Sequence, residues 1–524
     1  MPKRRFNTTG PCVPDKHYML PAVARLPEVT RLIEDGDFFV LHAARQSGKT
    51  TLLLELCRLL EAEGLFHALY VSLETAQSLD EPERGVPAIL AALETWMDRH
   101  SELRRTIPPR EAQLSIAESV SRYLESICRR CPKPLVVFFD EADCLGGETL
   151  ILFLRQLRSG YVARQAGSPF PHSLALVGMR NIRDFRSRIR PDRDTLGSAS
   201  PFNIASTALT MPVFSRSEVA TLYDQHTVES GQAFPEEVVD RVYESTQGQP
   251  WLVNAIARDI TERLLDRDAS RPIETAYVDQ VIEGMILRRV THIDSLLERL
   301  REERVRKIVE PVLIGEGVQA DFASDDARYV LDLGLLTRQG GEWRAANPIY
   351  REVILRELSW NAQDSLPAAL EGRWIRAGRL DMTGLLQSFQ VFWRENAESW
   401  TECYDYKEAA PHLILMAYLQ RVVNGGAEVI REYAAGRGRV DIDVRMADDS
   451  LPGGLRHYPL EIKLRRSERS AREGLEQLAA YCDRLGADEA WLVLFDRRPG
   501  TPWEEKLTWQ TEIRSNRTLH LVTC

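Results

Sequence analysis

The stretch HAARQSGKTTLL, residues 42–53, follows an apolar run, FFVLHA (38–43), and leads into an amphipathic one, TLLLELCRLL. Its spacing is that of the phosphate-binding loop, G-x-x-x-x-G-K-[ST], except that Ala43 stands where the first glycine belongs. A methyl at a strand-to-loop bend is a small steric demand while φ stays negative, so the substitution is compatible with the loop. In such a loop, backbone N–H groups at a helix start face an anion and the helix dipole adds positive potential. The candidate nucleotide-binding residues are therefore Ser47, Gly48, Lys49, Thr50 and Thr51. Gly48 lets the backbone close on the phosphates, Lys49 reaches the β and γ oxygens, and the Thr50 hydroxyl completes a Mg²⁺ shell.

Working outward, HALYVSL (67–73), PLVVFFD (134–140) and SLALVGM (173–179) read as buried parallel strands, with STALTMPVF (206–214) as a fifth. Strands alternating with helical periods predict an α/β sheet wound by crossovers. PLVVFFDEAD ends its strand on Asp140 and Glu141. That placement suits Asp140 as metal partner and nucleotide ligand, and Glu141 as the base that takes a proton from attacking water. Arg180 and Asn181 follow the next strand, where a γ-phosphate sensor could reach; a surface turn accounts for them equally well.

The bulk of the chain sets the frame for these motifs. At 524 residues it exceeds one ordinary core, and no apolar run approaches the roughly 20 residues that span a bilayer. The basic start, MPKRRFNTTGPCVP, lacks the apolar stretch of a secretory signal. With eight cysteines in no framework spacing, the expectation is a cytoplasmic protein without a membrane partner. Cys128 and Cys131 form a C-x-x-C that reads as reduced thiols ahead of a zinc site. The net charge of -10 argues against a protein coated in positive field, although a local basic face such as KLRRSERSAR (463–472) would suffice for nucleic acid. Arginine carries nearly all the positive charge: of 67 Lys plus Arg only eight are lysines, and two of those, Lys49 and Lys463, lie in the motifs discussed here. A compact ammonium and a planar guanidinium are not interchangeable in phosphate chemistry.

After Pro212 the strand pattern stops. Residues 215–292 read as a helical lid, with SRSEVATLYDQH opening on a serine cap. Residues 293–358 read as helices followed by a hairpin with Gly340-Gly341 at its tip, the outline of a winged helix. ARQSGKTTLL, FFDEAD, SPFNIAS and TQGQPWLVNAIA together resemble AAA-like ATPases related to the STAND and archaeal ATPase classes. The resemblance covers residues 1 to about 290, with the winged helix a usual companion. It implies ATP and Mg²⁺ as cofactors, and it places Gly248, Gln249 and Pro250 near the nucleotide, reporting its state to the lid.

A second lysine motif, LEIKL, lies in a separate stretch beyond an expected linker at 359–373. Helices and the strands AEVIREYAA, RVDIDVRMA and YPLEIKL precede the helix SAREGLEQLAAYCDRL and the strand AWLVLFD, an α-β-β-β-α-β order. Residues i and i+2 of a strand share a face, so Glu461 and Lys463 project together, with Asp441 on the preceding strand. Paired carboxylates with a lysine are what a Mg²⁺-dependent phosphodiesterase needs. These residues resemble the PD-(D/E)XK nuclease superfamily over about residues 400–500. The resemblance implies Asp441 and Glu461 as metal-holding and catalytic acids, Lys463 as the catalytic lysine, Gln477 with Tyr481 as the helix motif, and Glu408 as a further metal ligand. Glu432 is the alternative to Glu408, and His412 reads as a packed helix residue.

The expected architecture is thus α/β: a P-loop NTPase core (1–214), a helical lid (215–292), a winged helix (293–358), a linker and helical stretch (359–399) and a restriction-endonuclease-like α/β domain (400–524). The expected function is an ATPase joined to a Mg²⁺-dependent nuclease acting on nucleic acid, DNA first, with the ATP state controlling engagement or cleavage and a homo-oligomer allowed; the resemblance suggests defence against foreign DNA or DNA repair as the setting. The rival readings are a regulatory STAND-type NTPase whose C-terminal fold only binds nucleic acid or protein, and a nucleotide-gated signalling scaffold.

Overall fold

The computed structural model describes the chain except for residues 1–2, 110–114, 180–206, 289–290, 315–324, 364–373, 377–378, 403–414, 420–426, 436–437, 452–453, 465–467, 497–501 and 515–516. The chain forms two compact units, Met1–His292 with Ala320–Arg338 and Ala345–Ile349, and Ile293–Gln319 with Gln339–Arg344 and Tyr350–Cys524.

In the first unit, β1 (Phe38–His42), β2 (His67–Ser72), β3 (Leu135–Asp140), β4 (Ser173–Gly178) and β5 (Thr207–Thr210) form one sheet in the order β2-β3-β4-β1-β5. Every described pairing in it is parallel. The apolar runs become strands because both faces are covered, and β3 and β4 are buried at every position. On one face Phe38 and Val40 join a core with α3 (Pro82–Asp98), α4 (Ser119–Arg130) and α5 (Gly147–Gln165). On the other, Phe39 and Leu41 meet α1 (Glu28–Glu34) and α2 (Lys49–Glu63). β4 lies between the loop-bearing β1 and the acidic β3, so the carboxyl ends of these three strands open side by side.

The lid helices span Arg216–Ser230, Glu236–Thr246, Pro250–Arg258 and Thr275–Leu287. Ser215 starts the first with a capping box, its hydroxyl accepting from the Glu218 N–H while the Glu218 carboxylate takes the Ser215 N–H. The entry segment packs on the sheet through Ala22, Leu26 and α1 and, through its first residues, on this lid as well. Phe6 sits 4.9 Å from Tyr18 and 5.5 Å from Tyr223, and Arg4 pairs with Glu229 at 2.9 Å.

Past the lid come helices Thr291–Leu300, Glu303–Ile314 and Asp325–Asp332, a two-stranded sheet of β6 (Leu336–Gln339) and β7 (Glu342–Ala345), and a helix over Pro348–Gln363. This helix takes in residues 359–363 of the stretch expected as a linker at 359–373; the rest of that stretch lies outside the described residues.

The second unit carries a two-residue pair, β8 (Ile375–Arg376) with β9 (Arg379–Leu380), and a six-stranded sheet. That sheet contains β10 (Glu428–Ala435), β11 (Gly438–Ala447), β12 (Leu455–Leu464), β13 (Glu489–Phe495), β14 (Trp509–Arg514) and β15 (Arg517–Thr523), in the order β10-β11-β12-β13-β15-β14. β11 pairs antiparallel with both β10 and β12, β13 pairs parallel with both β12 and β15, and β14 closes the sheet antiparallel to β15. The helix Glu468–Leu485 makes the crossover from β12 to β13. One sheet face buries Ile442, Leu460, Ile462 and Trp491 against the helix Met382–Glu402; the other packs Leu492 and Leu519 on Leu475 and Leu478 of the crossover helix. β14 and β15 extend the sheet beyond the α-β-β-β-α-β order expected, because β14 is an edge strand with mostly exposed residues and little apolar signal.

Candidate functional site

The first site grows from the end of β1. Ala43 is buried and donates its N–H to Gly178 O at 3.2 Å, and it is not among the described residues with positive φ, so its methyl meets no strain. The turn that brings the chain into α2 uses positive φ at Gln46 (59°) and Gly48 (96°). Gly48 is the residue whose left-handed conformation a side chain would oppose. Lys49 donates to Ala43 O at 2.7 Å and Ala44 O at 2.9 Å. Burial pulls its ammonium below the usual lysine range, against the pull of Asp140, Asp143 and Glu141. Ser47 is 6% exposed and its Oγ has no hydrogen-bond partner among the described residues. A buried hydroxyl without a hydrogen-bond partner at a helix start, beside a lysine whose bonds among the described residues go to loop carbonyls, is the chemistry of an anion cradle, and the residues fit a nucleotide phosphate.

Asp140 closes β3 and is 2% exposed. Its Oδ2 accepts from Thr50 Oγ1 at 2.7 Å and from the Tyr70 hydroxyl at 3.0 Å, and its Oδ1 from the Glu141 N–H at 3.0 Å. The hydroxyl and carboxylate that would share a Mg²⁺ shell are thus already joined. Glu141 turns out of the strand at φ 58°. Its carboxyl is pushed up to about 7 by lost solvation first and then by Asp140, Glu74 and Asp143. Thr51 is partly committed elsewhere, since its Oγ1 accepts the Cys12 N–H at 3.0 Å. Asp143, absent from the sequence reading, ties this corner to β4 by accepting the Met179 N–H at 3.0 Å. Arg180 and Asn181 lie outside the described residues.

A cavity of about 120 Å³ adjoins the loop, lined among others by Asn7, Tyr18, Ser47, Gly48, Pro250 and Trp251. It joins the entry segment, the loop and the start of the third lid helix. Gly248 is what allows this approach: at φ 73°, a Cβ there would fall 1.8 Å from Phe214 O. Gln249 caps the helix through Leu252 N–H at 2.6 Å. His292 hydrogen-bonds the loop residue Gln46 and stacks on Trp251 at 4.6 Å, while Asp332 stands 3.5 Å from His42 at the end of β1.

At the opposite, amino end of β2, Glu61, His67 and His100 meet with metal-ligand spacing. The His100 tautomer argues for hydrogen bonding. Its Nδ1 accepts the Glu102 and Leu103 N–H groups at 3.2 and 3.1 Å, which leaves the ring proton on Nε2, 3.0 Å from Glu61 Oε1. A nitrogen that donates a proton has no lone pair for a metal, so the trio ties α2, β2 and the chain after α3 together.

The second site is built by strand register. Ile442 pairs with Leu460, which sets Asp441, one residue earlier, beside Glu461 on the face opposite the apolar cluster. Asp441 Oδ2 accepts the Ile462 N–H at 2.8 Å, and Lys463 Nζ lies 3.2 Å from Glu461 Oε1. Glu461 is 3% exposed, and its Oε2 has no hydrogen-bond partner among the described residues. Burial, then Asp441, pushes its carboxyl well above the carboxylate range, to about 7, against Lys463. A buried carboxyl whose charge its surroundings disfavour, with one oxygen unmet and a second carboxylate beside it, fits a divalent cation.

The structure does not bring every expected residue to this cluster. Gln477 sits on the exposed side of the crossover helix, without a hydrogen bond to Asp441, Glu461 or Lys463 among the described residues, while Tyr481 four residues on is buried in the apolar cluster. The i, i+4 pair straddles the helix boundary between solvent and sheet. Glu408 and His412 lie outside the described residues, and Glu432 is on β10 with its side chain outside them. Two rungs along, Asp443, fully buried, accepts from His457 Nδ1 at 2.7 Å and Arg445 Nε at 2.9 Å, a cross-strand pin the sequence reading did not include.

A five-stranded parallel sheet with this loop at the end of β1 and an acidic pair at the end of β3 defines a P-loop ATPase. The AAA-like domain profile matches residues 18–355, more than half of the chain, and the chain belongs to the AAA-like domain family. No curated protein matches it. Among solved structures it is similar to the Walker-type ATPase PABY2304 of Pyrococcus abyssi, at 14% identity and TM-score 0.48, over 67% of this chain and 99% of that one. It is also similar to the Thermotoga maritima RuvB Holliday junction branch migration motor (14%, TM-score 0.33, 62% and 90%) and to Aeropyrum pernix ORC1 in complex with DNA (14%, TM-score 0.36, 66% and 93%). Among the described residues no helix is long and apolar enough to cross a membrane.

Proposed function

We propose that this chain binds and hydrolyses ATP with Mg²⁺ at the loop site, and that its second sheet is a Mg²⁺-dependent nuclease whose engagement of DNA is controlled by the nucleotide state. The domain division at 214, 292, 358 and 399, with a winged helix over 293–358, belongs to the same proposal, as do a STAND-like lid, a role in defence or repair, and the cytoplasm as its setting.

At the loop, Ser47, Gly48 and Lys49 bind the phosphates, Thr50 and Asp140 hold the Mg²⁺, and Glu141, titrating at about 7, accepts the proton of the attacking water. At the second sheet Asp441 and Glu461 would hold Mg²⁺. Bound there, the ion supplies Lewis acidity and an acidified water. Lys463 offsets the charge that builds on the phosphodiester, and Glu461 must give up its proton to serve.

The observation that carries the nuclease reading is the buried, unmet Oε2 of Glu461 beside Asp441 and Lys463. The test is incubation of the purified protein with linear, circular and single-stranded DNA and with RNA, with Mg²⁺ or EDTA, with and without ATP. Mg²⁺-dependent cleavage of DNA whose rate changes with ATP is expected. Intact substrates in every lane overturn the nuclease, and ATP-independent cleavage overturns the coupling.

A further inference from the structure

We propose that Tyr70 is a positioning residue of the magnesium-nucleotide centre, acting through Asp140; the proposal rests on the ATPase reading above. β2 lies beside β3 with Ser72 opposite Asp140 and Tyr70 opposite Phe138, so the phenol reaches forward along the ladder to the carboxylate. Its hydroxyl donates to Oδ2 at 3.0 Å, the same oxygen that takes the Thr50 hydroxyl at 2.7 Å. The Glu141 N–H occupies Oδ1. An aspartate χ2 is a soft, broad torsion, and these three donors are what set it here. With Asp140 only 2% exposed, bulk water is not at hand to replace a lost donor.

The phenol is itself held. The ring of Trp96, on α3, meets the Tyr70 ring edge to face at 4.6 Å and 83°, so the hydroxyl is fixed by packing before any ligand arrives. Without it, Oδ2 would rest on Thr50 alone, and the two groups that share the cation would turn together. The lone pairs Asp140 keeps are those available to a metal-bound water, and Tyr70 determines which way they face. The phosphate-loop spacing carries no information about β2, so this residue is invisible to the motif.

Tyr70→Phe removes the donor and keeps the ring and its contact with Trp96. Partners of this kind change metal affinity by about 10- to 100-fold. Binding of Mn²⁺ in the presence of ADP, followed by electron paramagnetic resonance, should weaken by about tenfold in the variant, while ADP affinity without metal stays within about twofold. The Mg²⁺ needed for half-maximal ATP hydrolysis should rise in parallel, with the rate recovering at high Mg²⁺. Mn²⁺ binding equal to wild type overturns the proposal. So does a loss that appears equally in metal-free ADP binding and in the melting temperature of the metal-free protein, which would make Tyr70 a packing residue only. Lys49→Ala separates the two ideas: ADP binding that is lost in Lys49→Ala, together with Mn²⁺ binding in the presence of ADP that is equal to wild type in Tyr70→Phe, sinks this proposal alone, and a wild type that binds no nucleotide sinks the ATPase reading with it.

Discussion

The loop site and the second-sheet cluster each bring a lysine and carboxylates together, by opposite constructions. At the loop, Ser47 to Thr50 are contiguous and one backbone turn assembles them; Asp140 and Glu141 come from a strand two places away. At the second site, Asp441 and Glu461 meet only because β11 and β12 pair in one register. A contiguous motif tolerates a change such as Ala43, because the helix start that follows still aims its N–H groups at the anion. A site built by register does not. A slip of one residue would send Glu461 and Lys463 into the apolar face that Leu460 and Ile462 occupy. The Asp443–His457 pin across the same two strands is placed to resist that slip.

Three experiments press on this contrast. The largest effect is expected at the loop. Glu141→Gln should lower ATP hydrolysis by about 10²- to 10⁴-fold while leaving nucleotide binding within a few-fold. A variant that keeps near wild-type turnover would remove Glu141 as the base. The next effect concerns the junction on which the cavity depends. Gly248→Ala places a methyl against Phe214 O in a left-handed backbone, and a loss of about 1–3 kcal/mol, read as a lower melting temperature, should follow. An unchanged melting curve would mean that the lid start rearranges freely.

The smallest effect tests the second site through its proton. Glu461 is raised to about 7 in the fold and titrates near the ordinary value, about 4.3, when unfolded. The stability that its proton contributes is complete below the unfolded value and disappears as pH rises through about 7. Metal-free wild type should therefore lose on the order of 1–3 kcal/mol between pH 5 and 8 that Glu461→Gln does not, and Mg²⁺ should return part of it to wild type only. Parallel pH profiles for the two proteins would show that Glu461 is not held protonated.

Much of this was readable from residues alone. Parallel strands buried on both faces appear as continuous apolar runs, and all five of the first sheet fall where FFVLH, HALYVS, LVVFFD, SLALVG and TALT stand. The E-x-K strand and its acidic neighbour were also readable, since side-chain alternation along a strand is local information. Contacts distant in sequence were not. Nothing near Phe6 announces Tyr223, and nothing near Tyr70 announces Asp140. Gln477 shows the reverse error. A polar residue four before a tyrosine is consistent with a motif in sequence, but the turn of the helix leaves it in solvent while Tyr481 faces the sheet. The edge strand β14 was missed because its residues are mostly exposed and carry little apolar signal.

The measurement closest to the central claim, that one polypeptide holds two separate magnesium-phosphate centres, is a paired assay of Lys49→Ala and Glu461→Gln for ATP hydrolysis and DNA cleavage in the same preparations. Glu461→Gln should lose cleavage and hydrolyse ATP at the wild-type rate, whereas Lys49→Ala should lose hydrolysis and show an altered, not abolished, capacity to cut. Cleavage that survives Glu461→Gln, or hydrolysis that falls with it, would contradict the account.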